Sequence, residues 1–101
     1  MERKNIKHLG YGGEMYVVIV YDVSVERVSK VCHFLRQYLN WIQNSVFEGE
    51  IGISQLKEIK IGLKRIIKED EDSITIYKMR SPDSFKKEQI GIEKADSSFV
   101  I

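Results

Sequence analysis

The sequence is poor in the residues that most often carry metal or thiol chemistry. Of its 101 residues, one is cysteine, two are histidine and one is proline. A single cysteine, Cys32, cannot form an internal disulfide, and the two histidines, His8 and His33, provide no zinc-binding spacing. Zinc-dependent and thiol-dependent activities are therefore set aside.

Long apolar runs and a strong net charge are also missing. The longest uncharged apolar run, from Met15 to Tyr21, is too short to span a bilayer, which takes about 20 residues, and nothing before it resembles an export signal. We therefore expect a cytoplasmic protein. The formal net charge is +1, so any binding of nucleic acid must come from a local basic patch rather than from the whole surface.

The chain has room for one domain. Its 101 residues, 43% of them apolar, support one modest hydrophobic core. Residues 1–14 carry glycines and basic side chains without a sustained apolar period, which predicts a flexible N-terminal extension. Residues 15–101 are predicted to form the domain.

Apolar periodicity predicts an alternation of strands and helices in this domain. Strands are predicted at 15–21, 41–49 and 73–79, with short strands at 51–54, where a turn is the alternative, and at 90–93. Helices are predicted at about 25–39, with Val28 on the apolar stripe, and at about 56–67, with Ser24 and Ser54 as their N-caps. The acidic run 69–72 is assigned to a turn, and a polar connection follows Pro82.

This order predicts an α+β domain with the ferredoxin-like βαββαβ fold and a short extra C-terminal strand, in which two helices cover one face of an antiparallel sheet. The first strand is apolar on both faces, with Val17 and Ile19 on one and Val18 and Val20 on the other. A second copy of the chain is the simplest cover for the face without helices. We therefore predict a homodimer through that face.

Asp22 is the first candidate for chemistry, because it follows a buried strand and neighbours the phenol of Tyr21. An aspartate at such a position also fits an Asx turn or a helix cap. One carboxylate holds Mg²⁺ poorly, since the ion usually takes one or two carboxylates together with waters or phosphates. Two copies of Asp22 that meet across a dimer axis would supply the second carboxylate.

Basic side chains on the two predicted helices are the second candidate, since lysine and arginine bind phosphates. On the second helix the lysines fall within an arc of about 80°. A solvated helix face gives the same pattern, because Glu58 and Glu69 lie nearby. The residues concerned are Arg27, Lys30 and Arg36 on the first helix and Lys57, Lys60, Lys64 and Lys68 on the second.

Four segments together resemble a known family: YDVS at 21–24, QNSVFEGE at 43–50, LKEIKIGLKRII at 56–67 and DSITIY at 72–77. They are similar to the second CRISPR-associated protein, the small subunit of the spacer-acquisition complex, and the resemblance covers nearly all of residues 15–101. It implies a ferredoxin-like homodimer that is a Mg²⁺-dependent endonuclease on RNA or double-stranded DNA, with Asp22 as the metal ligand. It also implies a bridge between two dimers of the integrase subunit, a heterohexamer that holds the duplex DNA of a new spacer.

The resemblance assigns further site residues one by one. Tyr21 and Asp22 match the pair at the strand end, Ser45 and Phe47 match the second-strand motif, and Arg27 matches an early basic position of the first helix. We therefore expect Tyr21, Ser45 and Phe47 beside Asp22 in a catalytic site. The residues expected to bind nucleic acid are Arg27, Lys30, Arg36, Lys57 and Lys64.

The sequence departs from the family at positions where some relatives carry arginine and this chain has Ser24, Val25 and Trp41. This departure lowers the nuclease activity that we expect and leaves the predicted fold unchanged. Two other functions fit the same fold. One is a stand-alone ribonuclease resembling the virulence-associated toxin D family, which would not bind an integrase subunit, and the other is a dimeric regulatory domain without a nucleic-acid role.

Overall fold

The computed structural model describes residues 15–80 and 85–92. Over these residues, the chain forms β1 (Met15–Asp22), α1 (Val25–Arg36), β2 (Asn40–Gln43), β3 (Val46–Ile51), α2 (Ile53–Ile66), β4 (Ser73–Met79) and β5 (Phe85–Gly91). The strands form an antiparallel sheet in the order β2-β3-β1-β4-β5. The predicted ferredoxin-like arrangement with a C-terminal strand is confirmed. The predicted N-terminal extension, residues 1–14, lies outside the described residues.

Strand β1 lies at the centre of the sheet, between β3 and β4. Its odd-numbered residues, including Val17 and Ile19, are fully buried under the helices, whereas Val18 and Val20 on the other side are half-buried. Alternating side chains of a strand point to opposite faces, so β1 presents apolar side chains both to the core and to the half-buried side of the sheet. The core on the helix side is completed by Val31, Leu35, Phe47, Leu56, Ile59, Leu63, Ile74 and Ile76.

The segment predicted as one strand over 41–49 is instead a hairpin of β2 and β3. The chain turns at Asn44, whose φ of 41° is the left-handed conformation that asparagine tolerates better than most residues. The Trp41 Nε1–H donates to the Asn44 carbonyl oxygen at 3.0 Å across the turn. The prediction missed this turn because apolar residues continue on both sides of it. The predicted third strand at 51–54 is therefore wrong, since Ile51 already ends β3.

Helix α1 begins at Val25 after the N-cap Ser24, as predicted, whereas its end and the start of α2 differ from the predicted bounds. Helix α1 ends at Arg36 rather than at residue 39, and α2 begins at Ile53 after the N-cap Gly52 rather than after Ser54. The side chain of Gln55 explains the earlier start, because its Oε1 accepts a hydrogen bond from the Gly52 N–H at 3.0 Å.

Strand β5 begins earlier than the predicted 90–93 and pairs along the whole of β4, from Ser73 opposite Gly91 to Met79 opposite Phe85. The sequence predicts a polar connection over most of this strand, because charged residues such as Lys86 and Lys87 are typical of loops. At the edge of a sheet, lysines are common because they discourage pairing with other chains.

The two helices approach closely where α1 crosses α2. A Cβ at Gly62 of α2 would overlap the aromatic ring of Phe34 on α1, so only glycine fits there without movement of the ring. Phe34 also meets Tyr38 edge-on, with ring centroids 5.5 Å apart. Gly62 thus allows α1 to approach α2 closely at this crossing.

The other side of the sheet, which we call the open face, carries Tyr16, Val18 and Val20 of β1 with Thr75 and Tyr77 of β4. Tyr16 is 37% exposed, and the other four are half-buried. Burial, followed by a hydrogen bond and the charge of Glu48, raises the pKa of Tyr16 to about 12.

In the described part of the chain, no helix is long and apolar enough to cross a membrane.

Candidate metal and nucleic-acid site

Asp22 is the last residue of β1, and its side chain is exposed. It has the same parity as Val18 and Val20, so it lies at one end of the open face. In the β1–β4 ladder Asp22 stands opposite Ser73. The structure therefore places the predicted metal ligand on the predicted dimer side of the central strand.

A polar network surrounds the strand end next to Asp22. Gln89 of β5 donates through Nε2 to Ser73 Oγ at 2.9 Å and accepts through Oε1 from Thr75 Oγ1 at 2.9 Å. The same Nε2 donates to the Ile92 carbonyl oxygen at 3.1 Å. This network was not predicted from the sequence, although the alternation of Ser73 and Thr75 with buried isoleucines marks one polar side of β4.

Tyr21, Ser45 and Phe47 are brought together at the same end of β1, but under the helices. The Tyr21 ring packs 6.2 Å from the Phe47 ring, at 29° between planes, and the Tyr21 N–H donates to the Ser45 carbonyl oxygen at 3.1 Å. Phe47 is fully buried and Tyr21 is 4% exposed. Burial, with the neighbouring Cys32 thiol, raises the pKa of Tyr21. These residues support β1 from the side opposite to the Asp22 carboxylate.

Arg27 occupies a core position of α1 rather than the surface. It lies in register with Val31 and Leu35 and is buried, whereas Val28, which was predicted on the apolar stripe, is 37% exposed. The Arg27 Nε donates to Asp72 Oδ2 at 2.6 Å and its Nη2 donates to Asp72 Oδ1 at 3.0 Å. A guanidinium held in this way is not presented to a phosphate, which speaks against the predicted nucleic-acid contact of Arg27.

Asp72 is fully buried, although the sequence placed it in an acidic turn. The hydrogen bonds from Arg27 come first among the causes that lower the pKa of Asp72 to about 2, against the opposing effect of burial. The same pair raises the pKa of Arg27. A signal was present in the sequence, because an arginine at the helical spacing of a buried stripe needs a carboxylate partner.

The other basic candidates are exposed on the two helices. Lys30 and Arg36 lie on α1, and Lys57 and Lys64 lie on α2. Lys60 differs from them, since together with Lys78 it pairs with Glu88 of β5. Partial burial would raise the pKa of Glu88, but its hydrogen bonds with the two lysines lower it overall.

The described part of one chain contains no cluster of metal-binding side chains. Over residues 15–80 and 85–92, no three histidine, cysteine, aspartate or glutamate side chains are grouped so that they could share a metal ion. His33 is exposed on α1, and Cys32 is half-buried beside the core. Within the described residues, Asp22 is not part of a group of side chains that could hold a metal ion.

Residues 15–87 match the model of a protein family that is described as CRISPR associated protein Cas2. The chain belongs to the Cas2 family. This confirms the resemblance that the four sequence segments indicated. The matched residues include the whole of β1 to β4 and both helices, and therefore every site residue that was predicted from the sequence.

Curated relatives in the Cas2 family cover most of the chain. The protein named CRISPR-associated endoribonuclease Cas2 2 of Archaeoglobus fulgidus is 59% identical over 80 residues, which are 79% of this chain and 87% of that protein. The CRISPR-associated endoribonuclease Cas2 of Pyrococcus furiosus is 59% identical over 80 residues, 79% of this chain and 92% of its own. The CRISPR-associated endoribonuclease Cas2 of Methanocaldococcus jannaschii is 53% identical over 91 residues, which are 90% of this chain and 80% of that protein.

A solved structure supports the same conclusion. The protein titled "Crystal structure of cas2" superposes with a TM-score of 0.65 at 46% sequence identity, and the match covers 87% of this chain and 99% of that one. The Cas2 fold thus agrees with the ferredoxin-like arrangement seen here.

Proposed function

We propose that this Cas2 chain is a homodimeric subunit of CRISPR adaptation that binds duplex DNA through phosphates, bridges dimers of the integrase subunit, and cleaves RNA or duplex DNA with Mg²⁺ held by paired Asp22 carboxylates. The observation that carries the proposal is the position of Asp22, exposed at the end of the central strand and on the open face. The names of the relatives as endoribonucleases support the cleavage activity.

The open face supports a homodimer. Val18, Val20 and Tyr77 are only half-buried there, and a second copy that covers them would remove apolar surface from water. Copies related by a twofold axis bury the same surface on both sides. An axis near the end of β1 would bring the two Asp22 side chains together, because each lies on the open face of its own sheet.

A pair of Asp22 carboxylates suits Mg²⁺ better than a single one does. Mg²⁺ prefers oxygen ligands in an octahedral arrangement and is commonly held by one or two carboxylates plus waters and phosphates. Two copies of Asp22 provide two carboxylates, the upper number of this range, whereas one copy of Asp22 provides one. When bound, the ion supplies a Lewis acid for phosphodiester hydrolysis. The role of this chain is to hold the ion through Asp22, while Tyr21 and Phe47 keep the end of β1 in place.

Duplex binding rests on exposed lysine and arginine side chains of the helices. Lys57 and Lys64 of α2 and Lys30 and Arg36 of α1 are exposed. Lysine and arginine contacts to phosphates fix a protein on a duplex without reading its sequence, and the affinity falls steeply with salt. Twofold symmetry presents this surface twice, as a bridge between two identical integrase dimers requires. The Cas2 match favours this role over the toxin alternative.

The cleavage proposal is tested with Asp22→Asn and the matched surface variant Asp70→Asn. Each is incubated with labelled RNA and duplex DNA, in Mg²⁺ or in chelator, and its mass is measured by sedimentation. We expect Asp22→Asn to abolish Mg²⁺-dependent cleavage and to remain a dimer, and Asp70→Asn to cleave like the parent. An Asp22→Asn protein that cleaves at the parental rate would falsify the assignment.

The binding proposal is tested with a double variant, Lys57→Glu with Lys64→Glu, against Lys86→Glu on β5. The double variant should bind duplex DNA more weakly and show a shallower dependence of affinity on salt, since it makes fewer phosphate contacts. Equal weakening by Lys86→Glu would remove α2 from the interface. Capture of the integrase subunit from the same CRISPR locus checks the bridging role, and a toxin would not capture it.

A further inference from the structure

One buried carboxylate joins three segments around the end of β1. Asp72 is 0% exposed and accepts hydrogen bonds from the Ser24 N–H at 3.0 Å, from the Lys68 N–H at 2.9 Å, and from Arg27 Nε and Nη2. These donors belong to the β1–α1 loop, the α2–β4 loop and the first turn of α1. Asp72 thus satisfies backbone donors in two loops and compensates a buried charge.

Two segments lie next to Asp22: the loop that follows it in the chain and the start of β4 beside it in the sheet. The Asp72 carboxylate holds the first, and Ser73, the residue after Asp72, belongs to the second. Ser24 follows Asp22 by two residues and donates to Asp72 Oδ1. Ser73, which follows Asp72 directly, stands opposite Asp22 in the β1–β4 ladder. The backbone that carries the Asp22 side chain is therefore held on one side along the chain and on the other across the sheet.

The surroundings of Asp72 leave it little freedom to move. Its carbonyl oxygen accepts from the Ile92 N–H at 3.0 Å, and a Cβ at Gly91 would overlap that same oxygen. Arg27 contacts three carboxylates, since its Nη2 also donates to Glu71 Oε1 at 2.9 Å and its Nη1 donates to Glu26 Oε2 at 3.5 Å. A shift of the Arg27 side chain would leave the Asp72 charge buried without its partner, which is strongly unfavourable.

We propose that Arg27 and Asp72 are positioning residues for Asp22, which act through Ser24 and Ser73 to hold the Asp22 carboxylate in the orientation that binds a divalent ion. This inference rests on the proposed metal site at Asp22. It gives the arginine a role different from a phosphate contact, and it adds Asp72 to the residues on which metal binding depends.

The test uses Arg27→Lys, which keeps the charge but loses the two-pronged contact, and Asp72→Asn, which keeps the shape but loses the charge. Glu88→Gln is the matched control, because it breaks the pairs with Lys60 and Lys78 elsewhere in the fold. Mn²⁺ is titrated into each full-length protein as a probe of the site, and exchange of the Ser24 amide hydrogen is followed without metal. Asp22→Asn identifies the Mn²⁺ binding that belongs to the site.

We expect Arg27→Lys and Asp72→Asn to weaken Mn²⁺ binding by about 10- to 100-fold, the usual effect of losing a residue that orients a metal ligand. The Ser24 amide should exchange faster in both, while amides of β1 such as Val17 keep their protection. Glu88→Gln should change neither quantity. A loss of stability alone would not separate the β1 amides from Ser24 in this way.

Parental Mn²⁺ affinity in Arg27→Lys would overturn the positioning role, even if Asp72→Asn failed to fold. Should Asp22→Asn bind Mn²⁺ like the parent, the metal site itself is wrong. In that case, only hydrogen exchange of the Ser24 amide tests whether Arg27 and Asp72 hold the backbone next to Asp22. An unchanged exchange rate of Ser24 in Arg27→Lys would refute that role. The two proposals therefore fail by different measurements.

Discussion

Asp22 and Asp72 lie at the same end of two neighbouring strands but on opposite sides of the sheet. Asp22 stands opposite Ser73 on the open face and is exposed, whereas Asp72 precedes Ser73 and is fully buried among the helices. The buried carboxylate has all its surroundings supplied by this chain, in the form of Arg27 and two loop amides. The exposed one is accessible to molecules from outside. Position on a pleated strand thus separates a buried, paired carboxylate from one that is exposed to solvent.

The largest effect expected from this difference is on stability. Arg27→Met leaves the Asp72 charge buried without its partner, which should lower the free energy of unfolding by about 3–5 kcal/mol. Asp22→Asn replaces an exposed carboxylate and should change it by under about 0.5 kcal/mol. Urea unfolding at one fixed protein concentration measures both. Similar losses of unfolding free energy in Arg27→Met and Asp22→Asn would refute the difference between the buried and the exposed carboxylate.

A smaller effect is expected from crowding at the Asp72 backbone. Gly91 has a φ of 90°, and a Cβ there would overlap the Asp72 carbonyl oxygen. Gly91→Ala should therefore cost about 1–3 kcal/mol through strain and displacement. Gly52→Ala is the control, since its Cβ would meet only Gln55 Oε1 at 4.0 Å, and it should cost about 1 kcal/mol or less because only the N-cap is altered. Thermal unfolding distinguishes the two, and an equal loss would contradict the crowding.

The dependence of stability on pH should follow Asp72. Its pKa is lowered on folding, from an ordinary value of 3.8 to about 2, mainly by the Arg27 hydrogen bonds. A carboxyl group with a depressed pKa stabilises the fold fully above its unfolded pKa and loses that contribution as the pH falls toward the folded value. The stability difference between the parent and Asp72→Asn should therefore shrink from about pH 4 to pH 2. A difference that stays constant over this interval would remove Asp72 from the acid response.

The smallest effect is expected at the solvent side of the same cluster. The side chain of Glu71 is 52% exposed and pairs with Arg27 Nη2 at 2.9 Å. Exposed ion pairs contribute about 0–1 kcal/mol because water and salt screen them. Glu71→Gln should lower stability within that range, and less so in high salt. A loss above about 2 kcal/mol would show that Glu71, rather than Asp72, is the main partner of Arg27.

Much of the fold could be predicted from the sequence, because apolar spacing alone marks β1, the buried faces of the helices and β4. The errors occurred where local pattern and tertiary structure differ. The turn at Asn44 interrupts no apolar pattern, so β2 and β3 were merged. Strand β5 carries the lysines that suit a sheet edge, so most of it was assigned to a polar connection.

The candidate site could be predicted only in part. Asp22 could be placed at the end of β1, because the run before it has a clear strand pattern. The role of Asp72 could not, since it depends on a contact with Arg27 across 45 positions of the chain. The environments of Tyr21 and Phe47 were also out of reach, because strand parity gives a face but does not show which elements cover it.

The central position of β1 has a consequence for synthesis of the protein. Residues Tyr16–Tyr21 form an uncharged run of β-branched and aromatic side chains, a composition typical of segments that aggregate when unpaired. The strands that pair with this run, β3 and β4, both follow it in the chain and are made later. During synthesis, both edges of this run therefore stay unpaired until β3 and β4 have been made. The negative charge of Asp22 at its end opposes the pairing of one unfinished chain with another.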